Sequence, residues 1–149
     1  MSGVELKRVV RLLNTTLDGT KPVLVSLTNV KGISYTLATA ILRKAGVNPT
    51  KRLGELTEEE YSRIEDVVND PEKYGIPWWI MNRQKDYRSN ESTILIGDDV
   101  NWYVTQDINL MKKMGSWKGI RHELGLKVRG QRTKTTGRAG RTVGYQRKK

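Results

Sequence analysis

Residues 26–46 read SLTNVKGISYTLATAILRKAG. Leu27 and Val30 lie about one helical turn apart, and Lys31-Gly32-Ile33 then breaks the run. Ser34 is a residue type that accepts a hydrogen bond from a first-turn amide, so a new helix is expected to begin just after it. Along that helix Leu37, Ile41 and Ala45 share one face, with Ala38 and Leu42 beside them. Gly46 stands where a C-terminal cap belongs. The small side chains of Ala38 and Ala40 allow close approach to the short first helix. This stretch predicts a helical hairpin at the centre of a mainly α fold.

The layout resembles a helix-hairpin-helix phosphate grip. Gly32, Ile33 and Ala38 fit that motif, and Ser34 stands where its second Gly usually falls. Lys31, Gly32, Ile33 and Ser34 are therefore a candidate phosphate grip, since amides at a helix N-terminus bind anions without sequence preference. The same residues also suit a plain capped hairpin in the core, and the spacing does not choose between the two.

Working outward toward the N-terminus, residues 9–17 are apolar and β-rich. Asp18-Gly19 separates them from Val23-Leu24-Val25, and Asp-Gly between two such runs is a strong hairpin signal. A two-stranded ribbon turning at Asp18-Gly19 is expected, with Pro22 making the second strand an edge or a late starter. On the C-terminal side, Thr57 with Glu60 forms a capping box for a helix whose buried stripe is Tyr61, Ile64, Val67 and Val68. The place of Glu58, Glu59 and Glu60 in a first turn makes them helix-dipole partners rather than acid/base or metal ligands. Next comes the apolar knot Ile76-Pro77-Trp78-Trp79-Ile80-Met81. In a chain without Phe the Trp pair reads as a plug of the core, with base stacking as the other use of the rings. A short strand over 92–96 and a helix over 101–114, with Val104, Ile108 and Met111 as its stripe, complete the body.

Residues 116–149 read SWKGIRHELGLKVRGQRTKTTGRAGRTVGYQRKK. They hold 11 Lys or Arg and one acid, Glu123, and so carry nearly all of the formal net charge of +11. The chain before them is close to neutral. Gly119, Gly125, Gly130, Gly137, Gly140 and Gly144 interrupt the charges, which disfavours a long helix. The expectation is an extended basic strap that orders against phosphates. Arg121, Arg129, Arg132, Arg138, Arg141 and Arg147 supply guanidinium forks suited to phosphate and base faces. Two domains follow: a body over 1–115, mainly α with a small β-hairpin, and an extended basic tail over 116–149.

Composition narrows the function further. The chain has no Cys and one His, His122, so disulfides, thiolate metal sites and histidine cages are not expected. No cofactor and no catalytic residue are expected. No apolar run approaches the roughly 20 residues of a membrane span, and MSGVELKRVV lacks a signal-like core. The sequence reads as a soluble intracellular protein, and a pI near 10.0 points to a polyanionic partner.

From Ser116 onward the chain resembles the C-terminal signature of the small-subunit ribosomal protein thirteen family. The core of the resemblance is Gly119-x-Arg121-His122, then Gly125-Leu126, then Val128-Arg129-Gly130-Gln131-Arg132-Thr133-Lys134-Thr135. The earlier LNTTLDG, LTNVKGI and LTEEE segments follow in the same order. Asn82-Arg83-Gln84-Lys85-Asp86 and the ending Thr142-Val143-Gly144 look like the archaeal and eukaryotic branch. Leu126-Lys127 stands where bacterial members usually have Leu-Pro. The resemblance implies a constituent of the head of the small ribosomal subunit, working on the cytoplasmic ribosome. It implies binding to small-subunit rRNA through Lys118, Gly119, Arg121, His122, Lys127, Arg129, Gly130, Gln131, Arg132, Thr133, Lys134, Thr135, Arg138 and Arg141. Arg147, Lys148 and Lys149 would lie near the transfer RNA of the P site. Implied neighbours are ribosomal protein nineteen of the same subunit and, as bridge elements of the large subunit, ribosomal protein five and rRNA; no membrane is involved.

The rival class is a helix-hairpin-helix DNA-binding or DNA-repair accessory protein. In repair enzymes resembling this motif, a catalytic Lys would fall at Thr36, and Thr has no amine for a Schiff base. The N-terminal Pro nucleophile of a related group is also missing, since the chain begins Met1-Ser2-Gly3. The residues therefore favour a clamp and strap without enzymatic chemistry: the body fixes position, and the cations of the strap neutralise phosphates.

Overall fold

The structure is a computed structural model, and it describes residues 7–135. The chain divides into two compact units, one ending at Trp102 and the other beginning at Tyr103.

The first unit opens with a β-hairpin, β1 (Val9–Leu12) paired antiparallel to β2 (Thr15–Asp18), with Leu12 opposite Thr15. The turn is therefore Leu13-Asn14 and not the expected Asp18-Gly19. Both turn residues hold positive φ, 51° and 58°, the geometry whose twist matches the flanking strands. Asn tolerates that region, and Leu13 is held there by burial of its side chain at 6 % exposure. Asp18 instead folds back on the chain, its Oδ1 accepting from the Thr20 amide at 3.0 Å and the Thr20 hydroxyl at 2.7 Å. That turn leads into α1 (Val23–Leu27), a helix where a second strand was expected. Pro22 sits at its N-cap, where a missing N–H does no harm. Ser26 is fully buried, and its hydroxyl is satisfied by the Asp18 carbonyl at 3.1 Å.

The helix α2 (Tyr35–Ala45) agrees with its sequence signals. The Ser34 side chain accepts from the Leu37 amide, and Gly46 closes the helix in the left-handed region at φ 69°. Leu37, Ala38, Ile41, Leu42 and Ala45 are buried. Each large side chain among them contributes about 1.5–3 kcal/mol by leaving water. The helix α3 (Glu58–Asn69) carries the complete capping box of Thr57 and Glu60 and buries Tyr61, Ile64, Val67 and Val68. A 3-10 turn at Leu53–Glu55 precedes it, and the Tyr61 hydroxyl donates to the Leu53 carbonyl at 2.6 Å. These helices share one core with the inward face of the hairpin, Val10, Leu12 and Leu17.

Two expectations fail in the segment that follows. Trp78 and Trp79 lie on a 3-10 turn, Trp78–Ile80, and are 54 % and 61 % exposed. The core is plugged instead by Ile76 and Met81 on either side of them. Residues 92–96 form no strand. Thr93 makes an isolated bridge with Arg83, and the Asn82 side chain supplies the next pair of bonds to Leu95.

The helix α4 (Asp98–Lys113) starts in the first unit and ends in the second. None of its residues is buried, so Val104, Ile108 and Met111 are not a buried stripe among the described residues. The second unit adds α5 (Trp117–Glu123), a seven-residue helix at the start of the segment expected to be extended. Ser116 explains it: its Oγ accepts from the Gly119 amide at 3.1 Å and caps the helix.

Candidate nucleic-acid interface

The basic residues of the second unit are arranged by two helix ends of the same kind. At the end of α4, Gly115 adopts φ 63°, its amide donates to the Lys112 carbonyl, and the Ser116 amide donates to Met111. At the end of α5, Gly125 adopts φ 67°, its amide donates to His122, and the Leu126 amide donates to Arg121. Both are the left-handed closure that Gly makes without a Cβ clash. Gly115 and Gly125 thus reverse the chain at both ends of α5. Between them, Gly119 is buried against the Met111 carbonyl, where a Cβ would overlap the backbone. Its missing side chain serves the close approach of α5 to the end of α4.

Arg121 is half-buried and braces the turn. Its Nε donates to the Lys127 carbonyl at 3.0 Å, and its guanidinium lies 5.8 Å from the centre of the Trp117 ring. Lys118, Lys127, Arg129, Arg132 and Lys134 are exposed, as are Gly130, Gln131, Thr133 and Thr135. His122 is half-buried. The described part of the strap therefore brings Lys118 and Arg121 together on one short helix. From Lys127 it displays a run of exposed cations. Arg138, Arg141, Arg147, Lys148 and Lys149 lie outside the described residues.

The Lys31-Gly32-Ile33-Ser34 loop is placed differently. Ile33 is buried in the core, and Ser34 is spent on the α2 cap. The Lys31 carbonyl accepts from the Gly97 amide at 2.8 Å, and the Gly32 carbonyl accepts from Asn82 Nδ2 at 3.0 Å. Gly32 has φ 101°, and a Cβ there would overlap the Leu95 carbonyl. The Lys31 ammonium donates to Asn101 Oδ1. Thus the loop carbonyls hold the 82–97 segment, a use that local sequence signals do not announce.

Among the described residues no group of His, Asp and Glu is placed to hold a metal ion, and no helix is long and apolar enough to cross a membrane.

Comparison with known proteins gives a consistent result. Residues 11–139 match the family described as Ribosomal protein S13/S18. The small ribosomal subunit protein uS13 of Staphylothermus marinus is 49% identical over 141 residues, covering 95% of this chain and 93% of that protein. That of Saccharolobus solfataricus is 49% identical over 145 residues, covering 97% and 88%. That of Methanocaldococcus jannaschii is 46% identical over 149 residues, covering 100% and 99%.

Proposed function

The chain belongs to the small-subunit ribosomal protein S13 family, and on that premise we propose that it is a structural constituent of the small ribosomal subunit, held there by its rRNA. The observation that carries the reading is the exposed cationic run from Lys127 to Lys134, anchored by α5. Among the described residues, Lys118, Lys127, Arg129, Arg132 and Lys134 are the proposed phosphate partners. Arg121 and His122 lie at the base of the run, and Arg138 and Arg141 extend it along the sequence. Gly119 contributes through packing. Gly130, at φ 71° and exposed, lets the backbone bend beside a phosphate. Gln131, Thr133 and Thr135 add neutral donors between the charges. The Lys31–Ser34 loop enters the reading as part of the body that fixes position.

The finer placement extends the same reading. The protein sits in the subunit head beside ribosomal protein nineteen, and touches large-subunit rRNA and ribosomal protein five across a bridge. The end of the strap, Arg147 to Lys149, runs toward transfer RNA near the P site. The working location is the ribosome in the cytoplasm, and the role is structural rather than enzymatic.

Salt dependence of binding tests it. If about six cations meet phosphate, the log–log slope of affinity against salt is near −4 to −5. Structured small-subunit rRNA is preferred over duplex DNA of equal length. A chain truncated after Gly115 loses most of both affinity and slope; an unchanged slope would contradict the strap's role, and equal affinity for DNA would favour a helix-hairpin-helix DNA binder.

A further inference from the structure

The exposed Trp pair belongs to a rigid, cation-bearing platform in the first unit, away in sequence from the strap. Trp78 and Trp79 are carried by the 3-10 turn at Trp78–Ile80, whose flanks Ile76 and Met81 are anchored in the core. The following segment folds back over that turn. Gln84 Nε2 donates to the carbonyls of Trp79 at 3.1 Å and Met81 at 3.2 Å. The Lys85 amide donates to the Ser92 hydroxyl at 3.2 Å, and the Asn90 amide to the Asp86 carbonyl at 2.7 Å. Asp86 also caps the Arg88 amide at 3.1 Å and pairs with Arg83 Nε at 3.4 Å. Lys85 holds φ 44°, an unfavourable region for a long side chain, and its ammonium lies 5.6 Å from the centre of the Trp78 ring. Tyr87 is exposed, with the Arg88 guanidinium 5.3 Å from its ring.

Three exposed rings, two of them with a cation at the face, stand on a stretch of backbone tied by hydrogen bonds. Aromatic faces stack on bases, and exposed cations beside them meet the connecting phosphates. Of the two acids in the loop, Asp86 is engaged with the Arg83 side chain and the Arg88 amide, and Glu91 is exposed; Lys85 and Arg88 are the cations placed at the rings. An anionic ligand with flat apolar faces satisfies both features, which is the chemistry of an unpaired ribonucleotide.

We infer that Trp78, Trp79 and Lys85 form a stacking site for unpaired nucleotides of RNA, separate from the basic strap. The inference rests on the ribosomal reading and adds to it a contact made by bases rather than by phosphates alone.

The test uses the full chain and a labelled single-stranded oligoribonucleotide of about ten nucleotides, beside small-subunit rRNA. Binding is compared for the native chain, the double variant Trp78→Leu with Trp79→Leu, and the double variant Trp78→Tyr with Trp79→Tyr. Both Trp side chains are exposed, so all three chains are expected to unfold at similar temperatures. The Leu pair is expected to lose at least about five-fold in affinity for the oligonucleotide, with the Tyr pair keeping most of it. Photocrosslinking of the native complex is expected to attach RNA to the peptide holding Trp78 and Trp79. Equal affinity of the Leu pair and the native chain overturns the site. So does equal weakening by Leu and Tyr, which would mark packing rather than stacking. A Leu pair that binds RNA normally yet fails to join subunits would assign the platform to a protein. Failure of the native chain to bind rRNA would instead overturn the ribosomal reading itself, a distinguishable result.

Discussion

The side-chain amide of Asn82 closes a clasp on the carbonyl of Gly32, fifty positions earlier, at 3.0 Å. The same Nδ2 donates to the Leu95 carbonyl at 2.6 Å, and Asn82 Oδ1 accepts from the Leu95 amide at 2.8 Å. One side chain thus ties the helical hairpin to the segment leading into α4. Asn82→Ala removes all three bonds and is expected to cost about 1–3 kcal/mol, read by chemical denaturation. Gly32→Ala is expected to cost at least as much, because φ 101° and the Leu95 carbonyl both exclude a Cβ. Asn82→Asp keeps only the acceptor and should fall between the native chain and Asn82→Ala.

Glu60 couples the α3 cap to acid stability. Burial pushes its carboxyl up, but the Lys51 ammonium at 2.8 Å and the Thr57 amide at 2.8 Å outweigh burial and hold it below its ordinary value of 4.5. A depressed carboxyl contributes stability above its unfolded value and loses it as pH falls through the folded one. Stability is therefore expected to drop as pH falls below about 4.5. Glu60→Gln should lower stability at neutral pH and flatten that part of the profile in a denaturation series. Thr57→Ala should cost about 1 kcal/mol at neutral pH through loss of the cap.

Gly119 sets the distance between α5 and the end of α4. Gly119→Ala drives a Cβ into the Met111 carbonyl and should dislodge α5. Amide hydrogen exchange at Ile120 and Leu124, which donate to Ser116 and Ile120 carbonyls, is expected to speed up. Exchange at Leu42 in the core should not change.

Removing three strap cations together, Arg129→Ala, Arg132→Ala and Lys134→Ala, should weaken rRNA binding and make the salt slope shallower by about two to three. The melting temperature should stay near that of the native chain, because all three side chains are exposed.

How much of this was legible in the sequence follows from how local each signal is. The Ser34 cap, the Thr57–Glu60 box and the Gly46 stop involve neighbours within a few residues, and α2 and α3 appear where those residues put them. A two-stranded ribbon was legible but its pairing was not: Asp18-Gly19 is the stronger local signal, yet the chain turns at the buried Leu13 and Asn14, and residues 23–25, expected as the second strand, are helical. The use of the Lys31–Ser34 loop was hidden because its partner, Asn82, is fifty residues away. Exposure of Trp78 and Trp79 was hidden for a related reason, since Ile76 and Met81 fill the space that a Trp plug would need. Base stacking was the other use read for the rings, and the structure places Lys85, from the basic residues that follow the pair, at the Trp78 ring. Within the strap, Ser116 signals the cap of α5, but the interrupting glycines mask it.

Sedimentation of the tagged full chain from a lysate of its own cells, through a sucrose gradient after a high-salt wash, tests the central claim most directly. The account predicts stoichiometric migration with the small ribosomal subunit, lost when the chain is truncated after Gly115. Migration at the top of the gradient, with retention on DNA, would contradict it.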